Sequence, residues 1–204
     1  MNVLIGFERS GIVRSAFQKL GCNAISCDLE RSDIINDPLH RRCDIYNILT
    51  RKIWDLVIVH PVCTALAVSG NAHYAFGKPY HKKRLDAIKY TTKLWQDVIL
   101  YSRHAAMENP VGVLGIKPSQ TIQPFNFGED ASKKTCLWLS NLPALTPTKK
   151  FDGRIIDGVE RYSNQTDSGQ NKLGPSIDRA YKRAKTYQGI ASAMAEQWAP
   201  VLSK

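Results

Sequence analysis

Residues 2–28 read NVLIGFERSGIVRSAFQKLGCNAISCD, and this stretch decides the fold. Its apolar start predicts a short buried strand, and a turn bounded by Gly6 and Gly11 follows. Apolar residues at helical spacing then predict a helix that ends at a glycine, where a C-terminal cap belongs. The segment 23–27 predicts a second strand. A strand, a helix and a strand in so short a stretch are typical of a parallel α/β sheet.

The same alternation of strands and helices continues beyond this stretch. Apolar patterns predict strands at 54–59, 105–107 and 135–139 and helices at 85–104 and 187–198. The fold class predicted from this order is α/β: a doubly wound, mostly parallel sheet with helices on both faces, Rossmann-like in type. We expect a single domain over residues 1–204, with a polar, glycine-rich and mobile segment at about 151–178.

Composition restricts the class of protein. The chain has 204 residues, with 28 Lys and Arg against 18 Asp and Glu, and a formal net charge of +10. This charge favours a polyanionic partner such as a nucleic acid, and a role in solubility is the alternative. The longest stretch without a charged residue, 56–77, is broken by histidine, proline and asparagine, so we expect no membrane span and a cytoplasmic location. Five cysteines without a Cys-x-x-Cys pair predict neither disulfides nor a metal site.

Polar groups follow the predicted strands at their carboxyl ends, where a doubly wound sheet binds its ligands. The glycine turn after the first strand lets the backbone approach a cofactor closely, or it is a purely structural turn. Asp28 ends the second strand, at the place where an acid commonly binds a ribose hydroxyl. A helix-capping or solvated aspartate is the alternative. Asp44 precedes an isoleucine after a third element and by itself says little.

Two further loops carry groups suited to chemistry. The loop at 60–63 (His-Pro-Val-Cys) comes directly after a strongly apolar strand. A partly exposed Cys63 near helix N-termini and basic side chains would favour its thiolate, the form that a nucleophile needs. The alternative is a buried core cysteine, with His60 and His73 nearby forming only hydrogen bonds. Glu108, in a Glu-Asn-Pro motif, follows another strand and is placed to exchange a proton with a bound heterocycle.

In this order the motifs resemble those of the cytosine-C5 DNA methyltransferases. The small bacteriophage-type members, which lack a full target-recognition domain, are the most similar, and the resemblance covers nearly the whole chain. The motifs are a glycine-rich loop (Gly6, Phe7, Gly11), an acid after the second strand (Asp28), an Asp-Ile pair (Asp44), a Pro-Val-Cys loop (Pro61, Cys63), a Glu-Asn-Pro motif (Glu108, Asn109), a basic motif (Lys133, Lys134, Thr135) and a closing helix (186–198).

The resemblance implies an enzyme that transfers a methyl group from S-adenosylmethionine to carbon 5 of cytosine in DNA through a covalent cysteine adduct. It implies Cys63 as the nucleophile and Glu108 as the residue that holds the cytosine edge. The implied cofactor-binding residues are Gly6, Phe7, Gly11, Asp28, Asp44 and Pro61. The implied substrate-binding residues are Asn109, Lys133, Lys134, Thr135 and Arg183. It also implies that no metal is used, and a location in the host cytoplasm if the chain is phage-encoded.

The identity of the substrate stays open at this point. Basic runs at 82–84 and 179–185 would hold DNA phosphates, with a solvated surface as the alternative. Glu8 stands in the glycine-rich loop, Val62 replaces a proline, and the part of the chain after the basic motif is shorter than the family's target-recognition region. The DNA would be a duplex with an extruded base or a single strand. The alternatives are the same chemistry on a nucleotide or RNA pyrimidine, and a non-catalytic binding protein that interferes with a host system.

Overall fold

The computed structural model of the protein describes every residue except Pro175, Ile177 and Lys204. Its strands are β1 (Asn2–Gly6), β2 (Asn23–Asp28), β3 (His40–Arg42), β4 (Trp54–Val59), β5 (Ser102–Pro110), β6 (Gln120–Ile122), β7 (Thr135–Ser140), β8 (Arg154–Ile156) and β9 (Val159–Arg161). Its α-helices are α1 (Ile12–Lys19), α2 (Tyr46–Leu49), α3 (Asn71–Tyr74), α4 (His81–Leu100), α5 (Arg179–Ala184) and α6 (Gln188–Trp198).

Seven strands form one sheet in the order β3-β2-β1-β4-β5-β7-β6, and β8 pairs with β9 in a separate hairpin. Neighbouring strands from β3 to β5 run parallel, and β7 runs antiparallel to both of its neighbours. The strand order reverses between β1 and β4, which is where a doubly wound sheet opens a crevice at the carboxyl ends of its strands. The predicted α/β fold with a doubly wound, mostly parallel sheet is confirmed.

Helices cover both faces of the sheet because the side chains of each strand alternate between the faces. On β1, Val3 and Ile5 pack with α1 and α6, while Leu4 packs with α2 and α4 on the opposite face. All three side chains are fully buried, as expected for a parallel strand covered on both sides. The crevice at the strand ends is therefore supported by two apolar cores.

The element boundaries agree with the sequence where the apolar pattern is strong. The predicted strand at 54–59 is β4. The predicted helix at 85–104 is wrong at its end, because α4 stops at Leu100 and β5 begins two residues later. Ser102 and His104 pair with β4 instead of continuing the helix. These polar residues show no strand pattern, so the backbone pairing with β4 decides their conformation.

The segment at 151–178 contains a hairpin that the sequence analysis missed. The two residues that join β8 to β9, Asp157 and Gly158, have positive φ angles of 49° and 74°, which an Asp-Gly hairpin turn requires. Tyr162 attaches the hairpin to the main sheet region, since its ring stacks on Phe125 with 4.6 Å between the ring centroids. The mobility expected of this segment stays a prediction.

Candidate active site

Cys63 lies in the loop that follows β4, next to the reversal of strand order. Its carbonyl oxygen accepts the N–H groups of Leu66 and Ala67, each at 2.9 Å, and these bonds bend the loop into a turn. The side chain is half-buried, and it follows a buried Pro61 and a largely exposed Val62 in the chain. The structure thus places this cysteine at the wall of the crevice and in neither apolar core, which contradicts the alternative of a core cysteine.

Glu108 lies at the carboxyl end of β5, beside the first residue after β4. Its Oε2 is 3.0 Å from Nδ1 of His60, and the two side chains are 10% and 9% exposed. Burial by itself raises the pKa of Glu108, but Lys133 and His60 outweigh it and hold that pKa below its usual range. Glu108 is therefore a carboxylate at neutral pH, oriented by an imidazole that the sequence analysis did not assign to the site.

Cys63 shares this site with Glu108. Burial raises the pKa of the Cys63 thiol, and the Glu108 carboxylate raises it further. Lys133 and Arg183 lower the pKa of the same thiol without outweighing these effects. The prediction that the surroundings favour the thiolate is therefore wrong in direction, because the sulfur is withdrawn from water and lies close to a carboxylate. The charges of three other predicted residues, Glu108, Lys133 and Arg183, nevertheless all act on this thiol.

The remaining predicted substrate residues have contacts within the protein or face solvent. The side-chain Nδ2 of Asn109 donates to the carbonyl of Pro61 at 3.0 Å, and this buried bond ties the loop after β4 to β5. Thr135 is buried at the start of β7, where its Oγ1 donates to the carbonyl of Lys133 at 3.1 Å. Lys134 is exposed. A contact between any of them and a substrate stays a prediction.

Arg84, on α4, is a buried side chain that donates hydrogen bonds to the loop after β4. Its guanidinium donates to the carbonyls of Ala65 and Ala67 at 2.7 and 3.2 Å and to Oδ1 of Asn71 at 2.8 Å. The phosphate contact expected of Arg84 is wrong, because this side chain is buried and its donors are used within the loop. The two lysines that precede it in the basic run are exposed.

The turn after β1 is packed against the chain itself. A Cβ on Gly6 would collide with Ile45 and lie 3.1 Å from Cγ1 of Val59. The close approach that this glycine permits is thus made by Ile45, and a cofactor contact at Gly6 stays a prediction. Phe7 is half-buried at φ 61°, and Gly11, at φ 69°, immediately precedes α1.

Glu8 occupies the start of α1, a role that the sequence analysis did not assign. Its buried carboxylate accepts the N–H groups of Val13 at 2.6 Å and of Arg14 at 3.2 Å. These are the groups that a helix N-terminus offers to an anion. Burial raises the pKa of Glu8, while His60 and the two N–H groups act against that shift. A glutamate a few residues before a helix start was the available signal.

Asp28 and Asp44 come together at the ends of β2 and β3. Each carboxylate accepts one local N–H group at 2.9 Å, from Glu30 and Tyr46 respectively. The carbonyl of Asp28 accepts the N–H group of Cys43 at 2.9 Å, and Asp44 is the next residue in the chain. The two acids predicted from separate motifs therefore lie at one place in the crevice.

A cleft of about 360 Å³ lies between the loop after β4 and α4. It is lined by Val62, Thr64, Ala65, Tyr74, Lys83, Asp86, Ala87, Tyr90 and Thr91. Burial raises the pKa of the Tyr90 hydroxyl, and the charge of Asp44 adds to the shift. The cleft reaches the two neighbours of Cys63. The volume is within the range of small-ligand pockets.

The part of the chain that the structure describes contains neither a metal-binding cluster nor a membrane-spanning helix. Among these residues, no three His, Cys, Asp or Glu side chains lie close enough together to hold a metal ion. In the same residues, no helix combines the length and the apolar character that crossing a bilayer requires.

Comparison with known proteins finds partial similarity to solved structures. No protein-family model and no curated protein matches the chain. An E. coli prophage protein described as a putative DNA modification methyltransferase is 12% identical with a TM-score of 0.47, and the match covers 77% of this chain and 53% of that one. The Dnmt2 methyltransferase of S. pombe is 14% identical with a TM-score of 0.45, with 76% and 51% covered. This chain thus spans about half the length of either protein.

Proposed function

We propose that this protein transfers a methyl group from S-adenosylmethionine to carbon 5 of cytosine in DNA. The observation that carries the proposal is the convergence of Cys63 and Glu108 at the ends of two adjacent parallel strands, with His60 and Lys133 beside them. A thiol that adds to the ring and a carboxylate that binds its polar edge are the two groups that this chemistry needs. The fold and the clustered aspartates support the same reading.

Each residue of the pair has a defined task in the proposed reaction. Carbon 5 of cytosine is a weak nucleophile until a thiolate adds to carbon 6. As the sulfur of Cys63 bonds to carbon 6, electrons of the ring double bond move to N3. The proton that the thiol gives up passes through the carboxylate of Glu108, which His60 holds in place, to N3, and there it neutralises the developing charge. S-adenosylmethionine would supply the methyl group and leave as S-adenosylhomocysteine. Carbon 5 then gives up its proton to water, the carbon–sulfur bond breaks as the ring double bond re-forms, and Cys63 regains the proton that N3 held.

The residues around the ends of β1 and β2 suit a nucleoside cofactor without phosphates. Asp28 and Asp44 offer carboxylate oxygens to hydroxyl and amino groups, and the half-buried Phe7 offers apolar surface. A dinucleotide fits less well, because Glu8 already binds the N–H groups at the start of α1. A pyrophosphate there would meet a buried acid where it needs free donors. S-adenosylmethionine avoids this conflict.

DNA as the methyl acceptor is supported by the positive charge near Cys63. Lys133 and Arg183 both act on its thiol, Lys134 is exposed next to them, and the whole chain carries a net charge of +10. Lysine and arginine side chains at such a site bind phosphates. Because a stacked base is out of reach of Cys63, the target cytosine has to be extruded or unpaired.

Incorporation of labelled methyl groups into DNA tests this proposal. We expect the wild-type protein to form 5-methylcytosine and the Cys63→Ala variant to form none. Cys22→Ala is the control, because that cysteine is buried at the far end of β2. Equal labelling by wild type and Cys63→Ala would refute the covalent route. Parallel reactions with RNA and dCMP identify the acceptor, and labelling of those two alone would refute DNA as the substrate.

A non-catalytic binding protein is the second candidate, and one observation favours it: the pKa of the Cys63 thiol is raised rather than lowered. This candidate predicts binding of DNA, or of S-adenosylmethionine, without methyl transfer. A ligand that binds the folded state alone raises the melting temperature, so thermal unfolding with each ligand measures binding directly. Binding without product in every acceptor reaction would favour this candidate over the enzyme.

A further inference from the structure

A surface segment beside the Cys63 loop is rich in aromatic rings. Four rings, those of Tyr74, Phe76, Tyr80 and His81, lie within eight residues at the junction of α3 and α4. Phe76 is 89% exposed and meets His81 edge to face, with 5.5 Å between the ring centroids. Tyr80 is 46% exposed. We call residues 74–83 the aromatic segment; its exposed rings belong to neither core.

The charge of the aromatic segment is positive. The sequence contains no acidic residue between Asp55 and Asp86, whereas Lys78 and Lys83 are exposed. Nζ of Lys83 lies 4.7 Å from the ring centroid of Tyr80. Aromatic faces with lysines between them are the arrangement on which single-stranded nucleic acids bind, with bases on the rings and phosphates on the amines.

The aromatic segment adjoins the candidate active site. Tyr74 and Lys83 line the same cleft as Val62 and Thr64, which are the two neighbours of the proposed nucleophile. Arg84 binds the carbonyls of the intervening loop, so the segment and the nucleophile loop are held in one arrangement. A strand whose cytosine reached the nucleophile would therefore pass next to these rings.

We infer that the aromatic segment is a stacking platform for unpaired bases next to the target cytosine, and that the acceptor is single-stranded DNA. The inference rests on the proposed function and narrows its substrate. Bases in an intact duplex are stacked on one another, so they offer no face to Phe76 or Tyr80. An unpaired base stacks on such a ring, which increases affinity by about 5- to 150-fold per base.

Binding can be measured without any methyl transfer. The probe is a fluorescent single strand of about 16 nucleotides that contains no cytosine, compared with the duplex of the same sequence. By fluorescence anisotropy we expect tighter binding of the single strand, a loss of about 5- to 150-fold in Phe76→Ala, and a smaller loss in Phe76→Leu. Lys78→Gln should reduce the slope of log affinity against log salt by about 0.7.

A matched control keeps this test specific. Leu100→Ala removes an apolar side chain that is 66% exposed at the opposite end of α4, and it should leave binding unchanged. Equal affinity for duplex and single strand, or no effect of Phe76→Ala, would overturn the inference. Because the probe contains no cytosine, it measures binding alone. The proposed function is tested separately, by methyl transfer to duplex and single-stranded DNA that contain cytosine, so the two can fail independently. Tighter binding of single-stranded RNA than DNA would also overturn the choice of DNA.

Discussion

At the scale of single residues, Glu108 has two opposite effects on the chemistry of Cys63: it makes the free thiol less reactive, and it promotes the proposed methyl transfer. The carboxylate raises the pKa of the thiol, and in the proposed reaction it also binds the pyrimidine. Glu108→Gln should therefore make Cys63 react faster with iodoacetamide at about pH 8, because more of it is thiolate. The same change should slow methyl transfer by about 10²- to 10⁴-fold. Peptide mass spectrometry with time gives the first rate, and labelled product gives the second.

Lys133→Gln is the matched variant, and it should change the alkylation rate of Cys63 in the opposite direction. Lys133 lowers the pKa of Cys63, so its removal should slow alkylation of that cysteine. Cys43, the other half-buried cysteine, serves as an internal reference in the same digest. Identical Cys63 alkylation rates in the wild type and both variants would show that the three side chains do not share one electrostatic site.

The burial of Glu8 makes the stability of the folded protein depend on pH. Its folded-state pKa is raised above the ordinary value of 4.5, so the folded protein holds this proton more tightly than the unfolded chain. That contribution is fully present below about pH 4.5 and is lost as the pH rises through the folded pKa. Glu8→Gln removes the dependence, so the variant should melt at a higher temperature than wild type near neutral pH.

The difference in melting temperature between wild type and Glu8→Gln should disappear as the pH falls towards 4.5, the ordinary pKa of a glutamate. Thermal unfolding followed by circular dichroism across this range measures it. A lower melting temperature of the variant near neutral pH would mean that the two N–H bonds to α1 outweigh the cost of burying the charge.

At the scale of elements, the sequence predicts which residues lie at the ends of the strands better than it predicts the contacts of those residues with other elements. Asp28, Cys63 and Glu108 could be placed together because parallel strands end at one edge of the sheet, and β2, β4 and the middle of β5 carry apolar patterns. The three-residue strands β3 and β6 are too short for a pattern. The bond of His60 to Glu108 depends on the tertiary register of β4 and β5, which no local spacing records.

Arg84 shows how one element can position another. Its guanidinium binds two carbonyls of the loop after β4, so α4 fixes the loop that carries Cys63. Arg84→Met keeps the apolar stem and leaves those buried carbonyls without donors, which should lower the free energy of unfolding by about 1–3 kcal/mol. We also expect new proteolytic cleavage between Thr64 and Tyr80. Lys82→Met, an exposed neighbour, is the control, and equal protection of both variants would contradict this role.

At the scale of the molecule, the two ends of the chain meet in one core. Val3 and Ile5 of β1 pack in the same cluster as Met194 and Trp198 of α6. The indole Nε1 of Trp198 also donates to the carbonyl of Pro143 at 3.0 Å. The sheet lies between the two apolar cores and contributes side chains to both of them. We therefore expect the two faces to unfold together, as a single domain does.

Truncation of Trp198 tests that cooperativity. The side chain is fully buried, so Trp198→Ala should lower the free energy of unfolding by about 3–5 kcal/mol, and Trp198→Phe by less. Trp54 and Trp95 lie in the core on the other face and report it by fluorescence. If the sheet couples both cores, their transition in urea should shift as far as the circular dichroism transition does. A fluorescence midpoint that stays at the wild-type value would mean that the two faces unfold independently.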